Sequence, residues 1–375
     1  MTDMGFVRSG MVEARPAPHR TSGTAAWAKK NLFATPLDTV LTLLGLAFLL
    51  WVVPPFYNFV LGNAVPPGGT AEQCKALNAG ACWAYIAAEM EFFIYGFYDI
   101  SEHWRPNLVF ALGALLLVPL LVPKAPFKRI NAVLFLVVFP IVSYFLLYGG
   151  VFGLPVVPTE EWGGLLITLI ISVVGITLSF PLGIILALGR QSKLPIIKTL
   201  CIGFIELVRA VPLITILFMA SIMLPLFMPQ GSTVDKLLRA LVGVTLFTSA
   251  YMAEVVRGGL QAIPRGQYEA AASLGLGYWK RMYFIILPQA LKHVIPGIVN
   301  SFISLFKDTS LVYIVGMKDL LEAVKTKNDS AIEWQAANTA TTGYLFAAMV
   351  FWVFCFGMSR YSMYMERRLN TGYKR

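Results

Sequence analysis

Eight apolar runs, each close to the length of a bilayer-crossing helix, follow one another along this 375-residue chain. They lie at about 37–53, 107–122, 131–148, 164–188, 197–225, 238–257, 288–306 and 341–359. A helix rising ~1.5 Å per residue needs ~20 apolar residues to cross ~30 Å of hydrocarbon. Hydrophobic residues make up 57% of the chain and charged residues only 13%, well away from the balance of soluble domains. Inside lipid every backbone polar group must find a partner within the protein, which favours helices. The expected fold class is therefore an all-α polytopic membrane protein with about eight transmembrane helices. No cleavable signal peptide opens the sequence, and the first 30 residues, polar and rich in Pro, Thr and Ser, read as a loose tail.

The net charge of +10 raises the question of nucleic acid, and the placement of the charges answers it. Of the 30 Lys and Arg, 21 fall on the tails and on alternate loops at 123–130, 189–198 and 257–292. Only 8 fall on the opposite segments, and Arg209 alone lies inside a span. Basic residues concentrate on the cytoplasmic side of membrane proteins. That bias puts both termini and the 257–292 segment in the cytoplasm, and leaves no nucleic-acid patch.

Between Pro54 and Pro106 the chain runs outside the cytosol, with Pro54-Pro55, Pro66-Pro67 and Gly68-Gly69 as turn signals. Its apolar part, Trp83 to Tyr98, holds Glu89 and Glu91, each expensive in hydrocarbon. It reads as a helix lying on the outer membrane face. Cys74 and Cys82 share this segment, and a disulfide is expected because such bonds persist in oxidising compartments; two unpaired thiols are the alternative. Cys201 and Cys355 lie in separate apolar runs and read as core packing.

Polar residues inside spans mark the other points of interest. Glu206 and Arg209 are three apart on one helix face, and Pro212 favours a bend one turn on. They form either a charge pair that tolerates burial or the polar, bent wall of a pathway. Glu254 and Arg257 repeat the spacing before Gly258-Gly259, as a headgroup anchor or as a transmitting element. Asn300 and Ser304 are four apart, beside Ser301 and ahead of Lys307-Asp308-Thr309-Ser310. They read as helix–helix glue or as a lined site, with Asp308 or Thr309 also able to cap the next helix. An outward amphipathic surface helix is expected over Lys318–Lys325.

The stretch Arg265 to Pro288 interrupts two apolar runs with polar and basic residues. It reads as a short helix with Glu269 near its N-terminus. Ala270, Ala271 and Ala272 give it a thin face, and Gly275 and Gly277 supply a left-handed stop. Glu269-Ala270-Ala271, Gly275 and Ile285-x-Leu287-Pro288 resemble the cytoplasmic coupling motif of ABC-importer permease subunits. Glu206-x-x-Arg209-x-x-Pro212, Ala253 to Gly259 and Phe306 to Leu311 look like the polar amino-acid branch of that family. Cys82-Trp83 and Trp104-Arg105-Pro106 are similar to the extension of general L-amino-acid permeases.

The resemblance implies a five-helix permease core over 160–370, with its coupling loop at 258–288. Ahead of it stand a three-helix extension over 36–150, with a periplasmic loop about 54–106, and a cytoplasmic tail over 1–35. It implies that Gln267, Glu269, Ala270, Ala271, Gly275 and Tyr278 dock on an ATPase. It places Glu206, Arg209, Asn300, Ser301, Ser304, Asp308 and Thr309 along the substrate pathway, with Ser301 where basic-amino-acid relatives often carry a carboxylate. The implied partners are a second, homologous permease subunit in a heterodimer, two ATP-binding subunits, a periplasmic amino-acid-binding protein, an L-amino acid and the lipid bilayer of the bacterial inner membrane. ATP and Mg would be bound by the ATPase; this chain has no Gly-x-x-x-x-Gly-Lys-Ser/Thr loop and is expected to bind no cofactor and to catalyse no reaction. An ion-coupled secondary transporter is the alternative, though such proteins often show internal repeats, and none is evident here.

Overall fold

A computed structural model describes residues 23–122, 124–151, 153–227, 229 and 234–369. Seven of its helices are long and apolar enough to cross a bilayer, eight if one sharply bent pair counts as a single span. Most of the expected loose tail lies outside the described residues, but Thr24–Leu32 (α1) is helical.

Two compact units divide the chain. The first holds α1 and α2 (Pro36–Tyr57), the latter running on as a wider turn to Gly62. Thr35 and Asp38 close a reciprocal capping box at the start of α2, and Pro36 occupies the first position, where a missing N–H costs nothing. The apolar side chains of this helix are exposed along its whole length.

The second unit holds residues 65–77 and the chain from Cys82 onward, residues 78–81 belonging to the first. Trp83–Ala88 (α3) and Met90–Tyr95 (α4) replace the single surface helix expected over Trp83–Tyr98. The chain breaks at Glu89, which lies 2.6 Å from Lys327. Tyr85 and Phe93 are fully buried, so this segment is folded into the protein rather than spread on a membrane face. The paired carboxylate satisfies the charge that made a lipid setting costly. At Gly96 the backbone passes so close to Gly163 that an added Cβ would sit 2.4 Å from the Gly163 Cα.

Trp104–Leu121 (α5) and Lys128–Tyr148 (α6) form a hairpin, followed by Gly164–Arg190 (α7). Pro195–Ala210 (α8) and Leu213–Met223 (α9) meet at 103°. Val211 is extended ahead of Pro212, which has no N–H to continue the helix. The expected span 197–225 is therefore two helices of very different direction, not one bent rod. Lys236–Ala262 (α10) starts at Asp235, whose side chain accepts from the Leu238 N–H. It packs along α7 and is largely buried, whereas α2 is exposed along its length.

Arg265–Ser273 (α11) is followed by a helix over residues 278–293 (α12), which contains one wider turn at Met282–Ile286. After a break at Val294 come Ile295–Asp308 (α13) and a tighter turn through Val315. The seventh crossing is thus Ile295–Val315 rather than 288–306. The expected surface helix starts at Leu320, not Lys318, and runs to Ser330 (α14), burying Leu320, Ala323 and Val324. Lys318 and Asp319 are extended and bridge to Gly163 and Gly164 at the head of α7. Ala337–Leu369 (α15) closes the fold.

Candidate coupling site and ion-pair cluster

Three helix ends meet at the Glu254 carboxylate. Its oxygens lie 2.8 Å from Arg190 at the end of α7, 2.8 Å from Arg257 one turn on, and 3.5 Å from Arg209 at the end of α8. Arg190 also reaches Glu206 at 3.3 Å. The expected pairing of Glu206 with Arg209 is thereby corrected. Each turns to a neighbouring helix, because Arg190 and Glu254 offer partners outside their own turn. Arg209 in addition stacks over Tyr251, 5.5 Å from the ring centroid. The Glu254–Arg257 pair forms as the spacing predicts, with two contacts of 3.1 and 2.8 Å. Arg190 was not singled out from the sequence. Its only signal is position, a basic residue closing an apolar run.

From this junction the chain passes directly into the helix–turn–helix. Arg257 Nη1 donates to Gln261 at 2.9 Å, and the Tyr268 hydroxyl donates to the Leu260 carbonyl at 3.1 Å, folding α11 back on the end of α10. Burial raises the Tyr268 hydroxyl above its ordinary range. Gln267 accepts from Gln289 at 3.3 Å, so α11 and α12 are joined by a side-chain bridge that the coupling motif alone does not contain. Glu269 and Ala270 are exposed, whereas Ala271 is buried. The alanine run is therefore not one open face: at ~100° per residue, adjacent helix positions point apart. Glu269 stands in the second turn of α11, beyond the reach of the N-terminal dipole inferred for it.

Gly275 has φ +73°, and its N–H donates to Ala272 O at 2.9 Å, ending α11 as glycine does at a left-handed stop. Gly277 takes φ −60° and extended ψ, so only one of the two glycines supplies the left-handed turn. Tyr278 opens α12, half-exposed and edge-on to Trp279.

The remaining pathway candidates sit on α13. Asn300 and Ser304 are both exposed, one turn apart. Ser301 donates to the Gly297 carbonyl at 3.1 Å. Thr309 is fully buried and donates to Phe306 O at 2.8 Å, so it does not cap the following turn; nor does the Asp308 side chain. Cys74 and Cys82 are disulfide-bonded with Cα atoms 5.5 Å apart. The bond is held against α15, where Asn338 donates to Cys74 O at 2.8 Å and Thr342 accepts from the Cys82 N–H at 2.9 Å.

The described residues thus form a bundle of membrane-length helices, three of them tied together at Glu254 beside a helix–turn–helix, which is the architecture of a polytopic membrane protein. The chain belongs to the family of binding-protein-dependent transport system inner membrane components, whose model matches residues 179–371. It is 50% identical, over 359 residues and 96% of each chain, to the inner membrane amino-acid ABC transporter permease protein YhdY of Escherichia coli (strain K12). It is 40% identical, across 100% of both chains, to the glutamate/glutamine/aspartate/asparagine transport system permease protein BztC of Rhodobacter capsulatus. Among solved structures, the crystal structure of an amino acid ABC transporter with histidines is 29% identical, with 55% of this chain and 92% of that one covered and a TM-score of 0.48. Residues 1–178 lie outside the family match, yet both full-length relatives run across nearly all of them.

Proposed function

We propose that this chain is the subunit through which an ABC importer carries L-amino acids across the bacterial inner membrane. The observation that carries this reading is the 50% identity, over nearly the full length, to a permease of an amino-acid ABC transporter. A second relative at 40% serves acidic amino acids and their amides together. With Ser301 where a carboxylate would favour basic substrates, this supports a broad range. The core at 160–370 pairs with a second, homologous permease. The extension at 36–150 is an addition to that core.

Two ATP-binding subunits dock on the 258–288 loop through Gln267, Glu269, Ala270 and Gly275, and hold ATP and Mg themselves; this chain binds neither. A binding protein delivers substrate on the opposite face, and both termini lie in the cytoplasm, as the distribution of basic residues supports. Closure of the ATPase pair moves α11, and the bridge to α12 and the Glu254 cluster pass that movement to α7, α8 and α10. A ligand shifts such an equilibrium only by its differential affinity for the two states. Asn300 and Ser304 offer polar groups to the substrate from α13.

Reconstitution of the whole complex in liposomes tests this. Uptake of labelled L-amino acids that requires both ATP and the binding protein is the expected result. Uptake by this chain alone on an ion gradient, without ATP, would overturn it.

A further inference from the structure

We propose that α12 lies in the cytoplasmic headgroup layer and binds anionic lipid, which anchors the pivot of the coupling loop. The inference rests on the reading that residues 258–288 face the cytosol.

The helix over residues 278–293 has two unlike sides. Met282, Ile286 and Ala290, at four-residue spacing, are buried in the same cluster as Met252, Val256 and Leu260 of α10. Tyr283 and Phe284, 71% and 67% exposed, stand off that stripe, and Trp279, 73% exposed, lies at the start of the helix, one turn before the buried Met282; the rings pair edge to face as Tyr278–Trp279 and Tyr283–Phe284. Three large rings open to water on one short helix are costly unless something apolar covers them.

Charge narrows what that cover can be. Residues 278–293 contain Lys280, Arg281 and Lys292 and no acidic residue. Lys280 and Lys292, both exposed, stand near the two ends of the helix, about 18 Å apart at helical rise. The stretch between Arg281 and Lys292 is too short to cross ~30 Å of hydrocarbon, and the segment falls outside the crossing helices. It stops one residue before α13, which does cross. A helix with aromatic and basic residues on its free side, chained to the start of a span, fits the boundary between headgroups and acyl chains. Anionic headgroups complement its charge.

The consequence concerns coupling. α11 and α12 are joined by the Gln267–Gln289 bridge, so a lipid-held α12 would give α11 a fixed point to turn on.

The test uses the complete complex in nanodiscs. Brominated phosphatidylglycerol should quench a fluorescence component that disappears in the Trp279→Phe variant. Lys280→Gln with Lys292→Gln should lower phosphatidylglycerol retention at least twofold by native mass spectrometry, with ATPase subunits still attached. An unquenched Trp279 would overturn the proposal, as would ATPase release by that double variant with lipid retention unchanged, since the face would then belong to the ATPase. Quenching and retention are read without substrate, so failure of amino-acid uptake would leave this result standing on its own.

Discussion

The Glu254 carboxylate on α10 and the Arg190 guanidinium at the end of α7 lie 2.8 Å apart, and Arg209 and Arg257 approach the same carboxylate. One acid thus serves three cations drawn from three helices. Glu254→Gln would leave Arg209 and Arg257 without this counter-charge and Arg190 with only the longer, more exposed contact to Glu206. Breaking a buried pair costs about 3–5 kcal/mol. Side-chain exposures of 16–38% at this cluster bring the expected loss to about 2–3 kcal/mol after solvent screening. Arg209→Gln should cost less than about 1 kcal/mol, since it removes the longest and most exposed contact. Thermal unfolding of the purified subunit in detergent ranks the two variants, and an equal effect would show that the cluster is not centred on Glu254.

A second expectation concerns Asp319, fully buried at the start of α14. Burial pushes its carboxyl up to about 6, against the pull of the Glu322 and Leu321 backbone N–H groups that it accepts at 3.1 and 3.2 Å. The folded state therefore holds this proton more tightly than the unfolded chain does. The resulting stabilisation is complete below the ordinary carboxylate value, is lost as pH rises through about 6, and amounts to at most about 3 kcal/mol. Unfolding temperature should fall between pH 4 and pH 6 and level off above. Asp319→Asn keeps an acceptor for the cap and should flatten that profile. Asp319→Ala should flatten it too and also lose about 1 kcal/mol with the cap. A flat wild-type profile would contradict the assignment.

The Cys74–Cys82 bond closes a loop of sequence separation 8. Loop-closure entropy gives a bond of this span about 2–3 kcal/mol. Cys74→Ser with Cys82→Ser should lower the unfolding temperature accordingly, and reductant should shift the wild type but not the double variant. Non-reducing peptide mapping should recover the two cysteines in one linked fragment. Free thiols at both positions, in protein prepared without reductant, would sink the expectation.

The crossing helices were legible because hydrophobic run length is a local property. The errors have a common cause. Glu206 and Arg209 looked self-sufficient because sequence displays neighbours three apart and hides Arg190 and Glu254. Trp83–Tyr98 looked like a lipid-facing helix because Lys327, which neutralises Glu89, lies 238 residues further on. Tertiary partners decided both. The bend at Pro212 was foreseeable in kind, because the residue type is local, but its 103° angle was not. Ala271 was misread for a simpler reason, since composition gives a run of alanines no inside or outside.

Gly275 offers the sharpest test of the coupling loop because its constraint is conformational alone. Among the described residues no atom beyond its chain neighbours lies within 4 Å of where its Cβ would stand, so alanine fits sterically; the obstacle is the φ of +73°. A non-glycine residue there costs roughly 1–2 kcal/mol, enough to re-angle α11 against α12 without unfolding the bundle. Gly275→Ala should leave membrane insertion and unfolding temperature close to wild type. Amino-acid uptake per ATP hydrolysed should fall several-fold in proteoliposomes containing the whole complex. Gly277→Ala, at φ −60° where alanine is at ease, is the matched control and should behave as wild type. If both variants transport normally, α11 does not transmit the movement; if both fail alike, the left-handed turn is not what matters and the docking surface itself has been damaged.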